Sequence, residues 1–504
     1  MSVITETEKT NTVRRVLKMS SEYTQASFTS VVSLALTLVL LANSFDYSSK
    51  EVKTTLFAAA LTYALFTAFQ LVLTWLIKRD LAKFGHIQKK TRRLGYIQLL
   101  SLFTANVFTA VFAFQLVKQQ KTAEYTFSVY MLLVQLFILA ISALNLFKPY
   151  VADSFPIGML FLLVIAAIHL ASLLLVAKFV DAETAHPRLL ALAVVLLATA
   201  ICGNLFAFVL GLSLIFKIRS QNRPGTGQWP LIWDKITRNM TAMIGMFFIV
   251  LTFAISICSY LTFDYSLAVE NNYEALLESP SLMYPLGTDD FGRDLFSRIV
   301  FGARISLTVG ILSTLIPVII GGILGALAGY YGRRTDNVIM RLLDVLYAIP
   351  GILLAIAIIA AFGANTTNLI IALSVGSIPT YARTMRANVL MVSNLEYVDS
   401  ARALGAGDAE IIFKHIVPNS LAPMIVKATL TIGGAVIATS SLSYLGLGVE
   451  PHIPEWGNIL KIGSTYLESH SYLAIFPGLA IILLVLSFNF LGDGLRDALD
   501  PKMD

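Results

Sequence analysis

"EYVDSARALGAGDAEIIFKHIVPNS", residues 396–420, is a polar, glycine-broken stretch inside a chain that is otherwise close to continuous hydrocarbon. It is too polar to cross a bilayer, yet its pattern is more regular than that of a plain loop. Ser393, Asn394, Leu395 and Glu396 have the spacing of a capping box, with Ser393 as N-cap and Glu396 reaching back. Tyr397, Val398, Ala401 and Leu404 then share one helical face. Gly405 is placed to end that helix in the left-handed conformation that glycine adopts without penalty. Asp408 is placed to cap a second helix, with Ile411, Ile412 and Ile416 as its apolar side and Pro418 as its end. The pattern predicts a helix-turn-helix elbow over 393–419, shaped to dock into a groove on a partner. An ordinary structured loop is the competing reading.

Around this stretch the chain reads as membrane. Its 504 residues are 56% hydrophobic and 13% charged, with a mean hydropathy of +0.74. A soluble protein carries roughly 25% charged residues. Apolar blocks of about twenty residues match a hydrocarbon core of roughly 30 Å. They predict about twelve spans: six at 26–45, 54–77, 96–117, 126–147, 156–180 and 189–216, then six at 240–263, 305–331, 339–361, 368–390, 420–447 and 472–491. The fold class is therefore an all-α polytopic membrane protein. The break between the halves contains "KIRSQNRPGTGQW", 217–229, and Arg223, Pro224, Gly225 and Gly227 give it linker composition. The expected parts are an N-terminal bundle, 1–220, a linker, 221–239, and a C-terminal region, 240–504, with a long loop at 264–304.

Basic residues collect on the cytoplasmic side of membrane proteins. Loop 78–95 carries Lys78, Arg79, Lys83, Lys89, Lys90, Arg92 and Arg93, and later loops carry Arg219, Arg238, Arg333, Arg334 and Arg341. Alternation puts both termini and the elbow in the cytoplasm, and puts the acidic 264–304 loop, with Glu270, Glu274, Glu278, Asp289 and Asp290, outside. The N-terminus has no signal-peptide pattern: residues 1–20 are polar, with Arg14, Arg15 and Lys18. The net charge of +6 is loop charge of this kind rather than a nucleic-acid footprint. Cys202 and Cys258 lie in apolar blocks and are read as small hydrophobes.

The halves differ in character. In the second, Gly321, Gly325 and Gly329 form a G-x-x-x-G-x-x-x-G run that permits close helix approach in lipid, and Pro317, Pro350 and Pro379 sit within spans. Such residues read as packing points or hinges. Asp344 is expected to pair with a nearby arginine, with an ion-coupling role as the alternative, while Lys427 is expected to snorkel and His169 to be a packed histidine. In 286–304, Thr288 is placed to cap a helix on which Asp289–Arg293 and Asp294–Arg298 are i, i+4 pairs. Phe291, Leu295, Ile299 and Val300 form its apolar side, so it is expected to lie along the outer surface as a brace. The six histidines are scattered, so no metal site is expected, and no catalytic arrangement can be seen. There is no G-x-x-x-x-G-K-[ST], so no P-loop for ATP.

Residues 399–418 resemble the EAA loop of ABC-importer permeases. Ala401, Gly405 and Pro418 match its pattern, Asp399 and Ser400 replace Glu and Ala, and His415 and Val417 replace Ile and Leu. "HIVPN", 415–419, with Asn419, is similar to the version in the oligopeptide, dipeptide and nickel branch. So are "LGTDDFGRDLFSRIVFGARISL", 286–307, "MRLLDVLYAIPGILLAI", 340–356, "SYLGLGVEPHIPEWGNIL", 443–460, and "NFLGDGLRDALDPK", 489–502. The first of these carries Gly287, Thr288, Asp289, Gly292, Arg293, Asp294, Arg298 and Arg304. The resemblance covers about 230–504 and is to the second permease subunit of a peptide importer.

It implies a type I importer core of six spans, with the N-terminal bundle as an addition of unassigned role. It also implies a sister permease, two cytoplasmic ATPases that each bind one elbow, and an extracytoplasmic peptide-binding protein. ATP and magnesium would be used by the ATPases, with no cofactor bound by this chain and no enzymatic activity of its own. Glu396, Asp399, Ala401, Gly405, Asp408, His415, Pro418 and Asn419 would form the coupling elbow. The pathway residues and the choice among dipeptides, longer peptides and nickel stay open. A self-contained secondary transporter is the alternative from a different class, but it should show related halves and midplane charge, and the sequence shows neither.

Overall fold

The computed structural model describes residues 20–46, 51–52, 54–104, 106–118, 121–181, 184–220 and 229–500. Arg14, Arg15 and Lys18, and the linker residues Arg223, Pro224, Gly225 and Gly227, lie outside the described residues. Among the described residues the strands are a two-residue antiparallel ladder pairing Phe45 with Val52 and Asp46 with Glu51. The rest is helix and connection.

The first helices are α1 (Ser21–Asn43), α2 (Thr54–Phe84), α3 (Lys89–Gln98), α4 (Val107–Val117), α5 (Ala123–Ala143), α6 (Phe155–Phe179), α7 (Leu189–Thr199) and α8 (Leu205–Ser220). There follow α9 (Trp229–Arg238), α10 (Met240–Thr262), α11 (Ser266–Val269), α12 (Leu295–Tyr331), α13 (Arg333–Tyr347) and α14 (Gly351–Phe362). The last are α15 (Thr366–Val392), α16 (Glu396–Ala403), α17 (Asp408–Glu410), α18 (Val417–Tyr444), α19 (Trp456–Thr465) and α20 (Tyr472–Leu499). Among the described residues eight helices are long and apolar enough to cross a membrane, or nine with one bent pair counted as a span.

Every expected span has helix at its place, but three are interrupted. In 96–117 the chain passes through a tight 3₁₀ turn, Leu99–Thr104, before Asn106 caps α4 by accepting from the Thr109 amide at 3.2 Å. In 189–216 the break is Gly203, whose φ is +82° and where a Cβ would lie 2.8 Å from Ala254 Cα. In 339–361, α13 and α14 meet at 79°. The amphipathic α13 carries Arg333, Arg334, Asp336, Arg341 and Asp344, too much charge to share the axis of the apolar α14.

Contacts divide the chain into two compact units. One comprises Met1–Leu133, Ala167–Ala198 and Phe206–Thr226; the other comprises Val134–Ala166, Thr199–Leu205 and Gly227–Asp504. This differs from the expected division at 1–220, 221–239 and 240–504, because 134–166 and 199–205 group with the C-terminal region. Their contacts explain why. The Phe137 ring meets Phe247 edge-on at 5.7 Å, the Ser142 hydroxyl donates to Thr262 Oγ1 at 3.0 Å, and the Cys258 thiol donates to the Cys202 carbonyl at 3.3 Å.

Within the first unit, α1 lies along α2, with Ala26, Leu73, Ile77, Phe112 and Leu116 in its core. Hydroxyl pairs stitch the two helices, Ser30 with Thr74 at 2.8 Å and Thr37 with Thr67 at 2.9 Å. Within the second unit the dominant packing is α12 on α15. A Cβ at Gly321, Gly325 or Gly329 would lie 2.7, 2.3 or 3.0 Å from the carbonyls of Ile378, Ala382 and Arg386. The glycines are therefore where the two backbones touch. At 37 residues, α12 is a rod of roughly 55 Å. It begins at Leu295, so 295–304 is the first part of the same helix rather than a separate helix on the surface.

Candidate functional site

The elbow stands at the C-terminal end of α12. Its first arm is α16, and its second runs from α17 through one wide π turn, Ile411–Ile416, into α18. Gly405 joins the arms at φ +87°. The Gly405 amide donates to Arg402 at 3.0 Å and the Ala406 amide to Ala401 at 3.1 Å, which closes α16 as a left-handed residue should.

Two local expectations are corrected. Ser393 does not cap α16, which starts after Leu395 with no side-chain cap. Its hydroxyl donates back to the Leu390 carbonyl at 3.3 Å, joined there by Asn394 Nδ2 at 2.7 Å. The open carbonyls ending α15 compete for the same side chains and win. Pro418 does not end the second arm either, since helix continues from Asp408 to Tyr444. The π turn gives its ring the room that an α-turn would deny, and in the first turn of α18 it needs no amide hydrogen.

One face of the elbow is cemented to the bundle. Val398, Ile411, Ile412 and Ile416 are buried with Met385, Val389 and Met424. The hydroxyl of Tyr397 donates to His415 O at 3.1 Å and ties the arms together, and Asn419 Nδ2 donates to the same carbonyl at 2.7 Å. Tyr330, at the end of α12, donates its hydroxyl to Asp408 Oδ1 at 2.8 Å. Asp408 lies within α17, after Gly407, rather than capping it. Glu396 is exposed in the first turn of α16, where Asp399 also takes the Arg402 guanidinium at 2.9 Å.

The other face carries exposed apolar side chains. Leu404, expected on one apolar face with Tyr397, Val398 and Ala401, is 89% exposed while Val398 is buried, and Phe413 is 61% exposed. Leu404 is the residue after α16, just before the reversal at Gly405, so it leaves the helical face it was assigned to. Phe413 was not singled out from the sequence. By helical spacing Ile411, Ile412 and Ile416 share one face, and Phe413 lies off it. With Val318, Gly322, Ala326, Ile412 and Met424, Phe413 lines an apolar cavity of about 200 Å³.

At the N-terminal end of α12 the loop residues are packed and bonded. Thr288 is buried and caps no helix. Its hydroxyl donates to the Ala275 carbonyl and accepts from the Glu278 amide at 2.8 Å. Asp289 takes the Arg293 side chain at 2.8 Å together with the amides of Phe291 and Arg293, so the expected pair forms, but in a turn before the helix rather than on one. The second expected pair is absent. Asp294 is the N-cap of α12, accepting from the Ser297 amide at 2.9 Å, and the fully buried Arg298 lies 3.5 Å from Asp289 instead. Gly287 and Gly292 take φ of +83° and +74° to make the turns. Arg304 donates to Ser256 O and Ser259 Oγ with Tyr260 stacked at 3.4 Å. The sequence reading missed Glu455, fully buried, whose carboxylate caps α19 by accepting from Gly457 at 2.8 Å and Asn458 at 3.1 Å. Burial holds that carboxyl above the usual carboxylate range.

Between the two ends, Asp344 accepts from Arg383 at 2.6 Å, and Arg386 forks onto Asp336 with both nitrogens. Pro350 sits at the bend, immediately before α14. Lys427 does not snorkel. It donates across to α15, to Thr380 O at 3.0 Å and Thr384 Oγ1 at 2.6 Å. His169 is fully buried in α6.

Comparisons with known proteins give this geometry a setting. Residues 321–504 match the family described as "Binding-protein-dependent transport system inner membrane component". The chain is 46% identical over 275 residues to the glutathione transport system permease protein GsiD of Pectobacterium atrosepticum, an alignment covering 55% of this chain and 91% of that one. It is 44% identical over 275 residues to the dipeptide transport system permease protein DppC of Alkalihalophilus pseudofirmus, covering 55% and 90%. With nine-tenths of such a relative aligned at this identity, the chain belongs to the family of binding-protein-dependent transport system inner membrane components.

Proposed function

We propose that this chain is one of two permease subunits of an ATP-driven peptide importer in the cell membrane, and that the elbow couples it to a cytoplasmic ATPase. Small peptides, the class that includes dipeptides and glutathione, are the cargo. Half of the translocation path is contributed by this chain and half by a sister permease. An extracytoplasmic protein delivers the peptide, and the two ATPases use ATP and magnesium. Both termini and the elbow face the cytoplasm, and the 264–294 loop faces outward.

The observation that carries this reading is the division of labour in the elbow. Val398, Ile411, Ile412 and Ile416 fasten it to the bundle, while Leu404 and Phe413 project from it as apolar side chains that a groove on a partner would take. An elbow anchored on one side and engaged on the other transmits displacement from ATPase to span. The test is co-purification of the four-subunit assembly carrying Leu404→Asp. The expected result is loss of the ATPases from an intact permease pair, and loss of dipeptide uptake in proteoliposomes. Full ATPase retention would remove the elbow from the coupling path. Uptake of nickel but not of any peptide would reassign the cargo.

A further inference from the structure

The N-terminal region is not covered by the segments that resemble importer permeases, yet part of it is built into the outer end of the core. Lys148, between α5 and α6, reaches Asp294, the N-cap of α12, and donates to Ser297 Oγ at 2.7 Å. Both charged side chains are fully buried. The ammonium also lies 5.3 Å from the Phe296 ring centroid and 5.8 Å from that of Phe263, within cation–π range. On either side of Lys148, other groups of the same connection bond to the last turn of α10. Asn145 Nδ2 donates to Thr262 O at 2.7 Å and Ser154 Oγ to Leu261 O at 3.0 Å. A Cβ at Gly158 would lie 2.9 Å from Leu261 O, so the two backbones are in contact. Tyr150 OH meets Ser266 Oγ at 3.0 Å.

We infer that residues 142–158 are a built-in brace for the outer end of the permease core, and that Lys148 is the positioning residue which fixes the start of α12 and the 267–294 loop. A lysine buried without a partner is strongly disfavoured, and so is a buried carboxylate. Asp294 has its own role as the N-cap of α12, whereas Lys148 is buried there only because that carboxylate meets it. The loop hangs from the same point: the Asp294 amide donates to Leu267 O at 2.9 Å and the Leu295 amide to Gly287 O at 3.0 Å. Lys148 therefore sets, through Asp294, the surface this end of the molecule presents.

The test uses the full chain, purified with its partner subunits, in three variants: Lys148→Met, Asp294→Asn and the double variant. Asparagine keeps the N-cap but needs no counter-charge. Lys148→Met alone should lower the thermal midpoint by about 5 °C and speed chymotryptic cutting in 270–285 roughly tenfold, because it strands a buried anion. Asp294→Asn alone strands the cation and should do the same. The double variant should recover most of both losses, a rescue that simple loss of packing would not give. Should Lys148→Met fail to accumulate, recovery of yield in the double variant carries the same meaning. A Lys148→Met protein indistinguishable from the parent in midpoint and cutting would overturn the inference, as would a double variant no better than the single ones.

Discussion

A side chain at Gly405 would meet nothing within 4 Å, so its constraint is the backbone angle alone, φ +87°. Gly405→Val is expected to cost about 1–2 kcal/mol as strain in the elbow and leave the fold intact. Stimulation of ATPase activity by loaded binding protein should fall, while Gly405→Asn, which tolerates the left-handed region, keeps most of it. Equal coupling in the Val and Asn variants would make Gly405 a permissive loop residue. Gly325 is the opposite case, since its Cβ would sit 2.3 Å from Ala382 O and Gly325→Val should abolish assembly rather than coupling. At Glu455 the folded state holds its proton more tightly than the unfolded chain does. That stabilisation is present below the ordinary carboxylate range and is lost as pH rises through the raised value. Glu455→Gln should therefore melt above the parent at pH 8 and match it near pH 4; a constant difference between the two would count against the charge. Glycines at 405, 321, 325 and 329 were legible because their reasons are local or periodic. Ser393, Leu404 and the partner of Asp294 were not, because competing carbonyls, a turn phase and a residue 146 positions away decided them.

The bent pair α13 and α14 shows what apolar blocks conceal. Hydropathy over 339–361 reads as one span, but the charge of α13 turns it 79° from α14. Helix was legible in the apolar spans but not in α3, read as part of loop 78–95, or in α9, read as linker; the breaks at 99–106, at Gly203 and at the bend were not legible either, since each depends on a neighbour to satisfy the interrupted backbone. Two ion pairs hold α13 to α15, and they are unequal. Arg383 and Asp344 are 42% and 57% exposed, a pair worth no more than about 0.5 kcal/mol by itself. Arg386 and Asp336 form a half-buried fork, for which roughly 1–2 kcal/mol remains after screening. Arg386→Met should thus lower the midpoint of the purified assembly measurably and Arg383→Met hardly at all. The reverse order would mean that the fork is not formed in the membrane.

For the whole molecule, single cysteines at Ala406 and Asn272 probe the proposed orientation. Ala406→Cys should stay unlabelled by an impermeant thiol reagent in intact cells and Asn272→Cys should react. Labelling of the former would place the elbow on the wrong side for an ATPase. The rod between these two positions has a further consequence. α12 runs without a break from Asp294, held by Lys148, to Tyr330, bonded to Asp408. Along its second half Gly321, Gly325 and Gly329 leave no slack against α15. Helix stays continuous on both sides of Pro317, so the rod is expected to turn as one body, without an internal clock. Fluorescent reporters at the two ends should then relax after ATP addition with one shared rate constant, with no lag at the far end.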